Sequence, residues 1–119
     1  MAAPNLIQIT SVYGKTTSTS IGTAVTVVVS NPTSSNKSYK LNTLYISNID
    51  NTLTGRVSVD HYRAGTGIRL IDRMSVIPGD TLVALSRDTS IYLEEGDSLR
   101  CYADQNGLLH IVLSYEING

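Results

Sequence analysis

Along this chain apolar residues alternate with polar ones far more often than they recur at helical spacing. Arg56 to Tyr62 is the clearest case: Val57, Val59 and His61 fall on one face and Arg56, Ser58, Asp60 and Tyr62 on the other, the period of two that defines a half-buried strand. The stretch from Val76 to Ile117 organises the rest. It holds four short apolar runs divided by Pro78-Gly79-Asp80, Ser86-Arg87-Asp88, Glu95-Gly96-Asp97 and Asp104-Gln105-Asn106-Gly107. Turn residues every ten or so positions are the cadence of an antiparallel sandwich or barrel.

Earlier segments follow the same grammar. Asn5–Tyr13 reads as a first strand that Gly14 ends, and Ala24–Ser30 as a β-branched run closed by the turn cluster Asn31 to Asn36. Between them, Lys15–Thr23 is Ser/Thr-rich and fits a loop or an exposed edge strand. Lys37–Asn48 is a longer strand whose alternation changes phase at Asn42-Thr43, which predicts a bulge. In Ile68–Ile77 the residues Ile68, Leu70, Met74 and Val76 are expected to face inward, after a hairpin tip at Gly65-Thr66-Gly67. Helix has little foothold, because neither Arg87–Glu95 nor Ile68–Val76 holds apolar residues at i, i+3, i+4 and i+7. The expectation is an all-β chain: an antiparallel β-sandwich, jelly-roll-like, of eight to nine strands with no dependable helix. Residues 1–119 are read as a single domain, with residues 1–4 as an N-terminal arm.

Composition changes this picture in two ways. With no Phe and no Trp, the core must be aliphatic, and seven Tyr belong at half-covered rims or subunit contacts, where the ring is buried and the hydroxyl is not. Nine basic against ten acidic residues, spread without a run, provide no concentrated phosphate-facing patch, so no nucleic-acid partner is expected. No segment is apolar for long enough to span a bilayer as a helix, and the start lacks the charged and apolar regions of a signal peptide; neither a membrane partner nor secretion through this N-terminus is expected.

Candidate chemistry is sparse. Nucleophilic catalysis needs a Ser, Cys or Thr beside a base, and only His61 and His110 are available. His61 shares the Val57 and Val59 face, while His110 lies on the minority face of Leu109, Ile111 and Leu113. Cys101 sits in a strand pattern without a flanking motif and reads as a buried, inert thiol. Asp60-His61 with His110 lacks ligand spacing for a metal, and Glu94-Glu95-Gly96-Asp97 lacks the spacing of an EF-hand, which leaves a solvated acidic turn. Gly65-Thr66-Gly67 has no Walker-type continuation. No catalytic, cofactor-binding or metal-binding residue is assigned, no cofactor is expected, and the chain is expected not to be an enzyme.

The Met-Ala-Ala-Pro-Asn start, the early Thr/Ser-rich segment, the strand Tyr39 to Asn48, the turn Ile91 to Leu99 and the terminal Ser114-Tyr115-Glu116 together resemble small virion structural proteins of tailed phages, particularly those of marine and cyanobacterial phages. That resemblance implies a β-sandwich accessory subunit without an enzyme site, made in the host cytoplasm and located in the virion. Its expected role is capsid decoration or cement on the major capsid protein lattice, as a homo-oligomer and favourably a trimer; the alternative is a neck, tail or fibre-attachment protein. A carbohydrate-binding sandwich comes third, because Tyr45, Tyr62, Tyr92 and Tyr102 could offer aromatic platforms. The contact residues expected are Ala3, Pro4 and Asn5 of the arm, Thr16 and Thr17 of the Ser/Thr segment, and Tyr45, Tyr62 and Tyr92.

Overall fold

The computed structural model describes residues 12–119. The arm, with Ala3, Pro4 and Asn5, and most of the first expected strand lie outside them.

Nine strands follow one another among the described residues: β1 Val12–Ile21, β2 Thr26–Ser30, β3 Ser38–Asn48, β4 Gly55–Arg63, β5 Thr66–Val76, β6 Thr81–Leu85, β7 Ile91–Leu93, β8 Ser98–Ala103 and β9 Leu109–Asn118. One 3-10 turn at Arg87–Thr89 separates β6 from β7, and no α-helix occurs among the described residues. All pairings are antiparallel. One sheet has the order β1-β9-β3-β6, with β7 also on β3, and the other β2-β8-β4-β5. Because the chain crosses between sheets at nearly every step, only β4-β5 and β6-β7 stay within one sheet in sequence. This is the jelly-roll winding.

Local chemistry accounts for the details. β3 pairs with β9 with a register shift between Leu41 and Thr43, the bulge predicted from the phase change, and the extra residue lets Leu41, Leu44 and Ile46 all be fully buried. Facing them across the sandwich are Val57 and Val59 of β4 and Leu99, Cys101 and Ala103 of β8, with Leu109, Ile111 and Leu113 of β9 beside β3. The core is aliphatic throughout. Tyr39 and Tyr115 stack at its margin, ring centroids 5.7 Å apart, half-buried as composition suggested. The β4-β5 hairpin turns at Ala64-Gly65, both with positive φ (52° and 80°), which matches the right-handed twist of the strands it joins.

Two expectations are corrected here. Gly14 does not end a strand: β1 runs through it to Ile21 in unbroken register with β9, so the Ser/Thr-rich segment is an edge strand and not a loop. In β5, Val76 is buried, but Ile68, Leu70 and Met74 are 61%, 40% and 48% exposed. β5 is the last strand of its sheet, it shifts register twice against β4, and Arg73 sits at φ +50°. The bulges break the alternation, so that Ile71 packs against the core while Ile68, Leu70 and Met74 do not.

Candidate functional site

The densest polar chemistry lies at one corner of the sandwich. β4 ends in His61 and Arg63, and the β7–β8 turn brings up Glu94 and Asp97. Asp97 accepts from Arg63 Nε at 2.8 Å and Arg63 Nη2 at 2.7 Å, a bidentate fork, and from the Glu94 backbone N–H at 2.9 Å. His61 Nε2 lies 3.2 Å from its Oδ2, and Arg63 Nη2 also donates to Glu94. The Asp97 side chain is only 1% exposed. Burial alone would raise its pKa, but the Arg63 guanidinium, the Glu94 N–H and His61 more than offset that and leave it below the ordinary carboxylate value. Arg63 is held more firmly protonated, chiefly by the same hydrogen bonds.

A second knot braces this corner. Asn31, fully buried, donates through Nδ2 to the carbonyls of Lys37 and Leu93 at 2.9 and 3.0 Å and accepts from Ser35 Oγ. Its backbone exchanges hydrogen bonds with Gly96 and Asp97. Glu95, also buried, accepts from the Asn36 N–H. The acidic turn is thus not the solvated loop expected: Glu95 and Asp97 are inside, because their acceptors satisfy donors of two neighbouring segments.

A shallow cavity of about 400 Å³ opens beside this cluster, lined by Thr33, Arg63, Glu94, Glu95, Gly96 and Asp97 among others. Of its charged groups, Arg63, Glu94 and Asp97 bond to one another and Glu95 accepts from the Asn36 N–H, and His61 does not line it. A second trough of about 400 Å³ runs over β1 and β9 past His110, with Ser18, Thr19, Ser20, Ile111 and Val112 as its other walls; none of these walls is a carboxylate. Among the described residues no group of three or more His, Cys, Asp or Glu is placed to hold a metal. Cys101 is buried, which pushes its thiol up to about 11.

The remaining sequence-predicted residues are scattered. Thr16 and Thr17 lie on β1. Tyr45 and Tyr92, 40% and 43% exposed, are on the five-stranded sheet, Tyr45 in a cross-strand row with Val83 and Val112. Tyr62 lies on the other sheet beneath Arg100, whose guanidinium carbon is 3.6 Å from the ring centroid. Tyr102 receives a hydrogen bond from Arg69 Nη1 at 2.9 Å and has the same guanidinium 5.3 Å from its ring, an arrangement that lowers the phenol pKa. Arg69 also approaches Asp60 Oδ1 at 2.7 Å; that buried oxygen makes no directed hydrogen bond, so the contact is an ion pair of imperfect geometry. One face of each of the two rings is therefore occupied by a cation. Sequence reasoning missed the pairing of Arg63 with Asp97, which joins positions 34 residues apart, and the bracing role of Asn31, whose only signal was an Asn-Pro closing a strand.

No family model matches this chain and no curated protein matches it. A solved structure described as belonging to Bacillus endospore appendages that form a novel family of disulfide-linked pili is similar to it, with a TM-score of 0.54 and 12% identity, covering 99% of this chain and 95% of that one. At that identity the likeness establishes the sandwich fold alone.

Proposed function

We propose that this chain is a non-enzymatic structural subunit that works by associating with copies of itself and with other subunits. The observation that carries the reading is the fate of its reactive groups. His61, Arg63, Glu94 and Asp97 are committed to one another at a corner of the scaffold, Cys101 is sealed in the core, and His110 stands in a trough without an acid. A site for chemistry needs convergent groups left available to a substrate; a site for assembly needs surface and backbone edges. The similar appendage structure is named for disulfide-linked pili, and the lone, buried Cys101 supports a non-covalent mode of association here.

Within this reading, the resemblance to phage accessory proteins favours a virion location and a decoration or cement role on the major capsid protein, with a neck, tail or fibre-attachment role as the alternative. The test is the position of the protein in intact particles, by gold labelling or cryo-electron microscopy. Density over the head lattice, together with heads that lose heat or low-salt resistance without the protein, supports decoration. Density confined to the neck or tail supports the alternative, and absence from particles refutes both. An activity lost in His61→Ala or His110→Ala would overturn the non-enzymatic reading itself.

A further inference from the structure

A sandwich has free edges, and most of those here are protected. β2 is five residues long, shifts register between Val27 and Val29 and is followed by Asn31-Pro32. β5 carries two register shifts, a left-handed Arg73 and the charges of Arg69, Asp72 and Arg73. The edge opposite β1 is split between the five residues of β6 and the three of β7. Shortness, bulges and charges are the devices that stop a sheet edge from recruiting another strand.

β1 has none of these except one lysine. Its ten residues, Val12–Ile21, pair with β9 from end to end without a register shift, contain no proline and only Lys15 as a charge, and are almost all exposed. It is the outermost strand of its sheet, so its outward-pointing N–H and C=O groups lack a strand partner among the described residues. We infer that this edge is a docking surface and that its occupant is β1 of a second copy, paired antiparallel about a two-fold axis normal to the sheet. The inference rests on the structural-subunit reading and names the contact it uses.

Two features select a second copy as the occupant. A strand that satisfies β1 must be about as long and as flat as β1, and among the edges described here only β1 qualifies. The strand is also compatible with itself. Side chains opposite each other across an antiparallel pair share a face. The face of β1 aligned with Leu109, Ile111 and Leu113 carries Tyr13, Lys15, Thr17, Thr19 and Ile21. The registers that keep nearly all of β1 paired are centred on Thr16 or Thr17, and they set Lys15 opposite Thr17 or Thr19. The two lysines meet only if the pair is centred on Lys15. Threonine and serine fill most remaining positions; threonine is β-prone, and Thr–Thr and Thr–Ser pairs are favourable across strands. The contact is isologous and closes on itself, so it favours dimers over the trimer that the phage resemblance implies.

The test is sedimentation velocity over a range of concentrations on the full chain. Wild type is expected to show a concentration-dependent dimer. The double variant Thr17→Lys with Thr19→Lys places a lysine opposite Lys15 in either register and should weaken association at least tenfold, with an unchanged circular dichroism spectrum. Mixing it with Lys15→Glu should restore a mixed dimer, because the introduced carboxylate then faces one of the new lysines. A wild type that self-associates while the double variant does so equally well refutes the β1 contact and leaves the structural reading intact. A wild type that stays monomeric refutes the contact as well. Loss of the dimer in the double variant together with absence of the protein from particles supports the contact and removes the virion reading.

Discussion

Replacing Asp97 by Asn tests whether the corner cluster is scaffold. The carboxylate is buried and accepts four contacts, two from Arg63, one from the Glu94 N–H and one from His61. Hydrogen bonds to a charged group are each worth roughly 1.5–3 kcal/mol in favourable cases. That figure overstates the loss here, because Arg63 is 49% exposed and can rehydrate while keeping Glu94, so its share resembles a surface ion pair of about 0.5–1 kcal/mol. What remains is the turn N–H, the His61 contact and an amide NH2 that must face a guanidinium. We expect a loss of about 2–4 kcal/mol near neutral pH, a large part of a typical total of roughly 5–15 kcal/mol. The corresponding fall in Tm is about 10 °C for a domain of this size. The pH dependence fixes the sign. The folded-state pKa of Asp97 is depressed, so its contribution is fully present above the unfolded value of about 3.9 and is lost as pH falls through the lower folded value. Urea titrations of wild type and Asp97→Asn at equal protomer concentration should therefore differ clearly above about pH 5 and begin to converge below about pH 4. Glu94→Gln, at a half-exposed carboxylate, should cost no more than about 0.5 kcal/mol. A gap under about 1 kcal/mol near neutral pH, or one that persists undiminished in acid, refutes the reasoning.

Other outcomes follow from the same structure. Leu113→Ala, at a fully buried position in the middle strand β9, should lower the urea-derived stability by about 2–5 kcal/mol, and Leu99→Asp or Ile111→Asp should abolish soluble expression by burying an unpaired charge. The Cys101 thiol should resist a disulfide reagent at mildly alkaline pH in the native protein and react at once in denaturant, since it is buried and its pKa is raised. Ala64→Gly, which relieves a left-handed residue in the β4-β5 turn (φ +52°), should stabilise by about 1 kcal/mol in thermal unfolding.

What the sequence disclosed was whatever is decided locally. The alternation of Arg56–Tyr62 became β4, the phase change at Asn42 became a bulge, and Leu99 and Ile111 proved fully buried. The misreadings concern partners remote in sequence. Asp97 lies in a run that looks like any polar turn, and only the jelly-roll crossing brings Arg63 against it. Ile68 and Met74 have the character of core residues, but whether a second layer covers them depends on where their strand falls in the sheet order. Gly14 looked like a terminator because glycine permits a turn; in an exposed edge strand it has no neighbour within 4 Å of an added Cβ and is simply tolerated.

The character of the open edge also bears on how such a subunit would act. The outer face of β1 is built from Val12, Gly14, Thr16, Ser18 and Ser20 and the other from Tyr13, Lys15, Thr17, Thr19 and Ile21, so pairing two copies satisfies backbone groups while burying little apolar surface beyond Val12 and Tyr13. Each such contact is consequently weak, since burial of apolar area is the main source of association energy. A rigid frame, with its loops tied at Asn31 and Asp97, keeps the ordering cost of that contact low. Under the structural-subunit proposal, a contact this weak reaches high occupancy only when other surfaces of the same subunit bind alongside it.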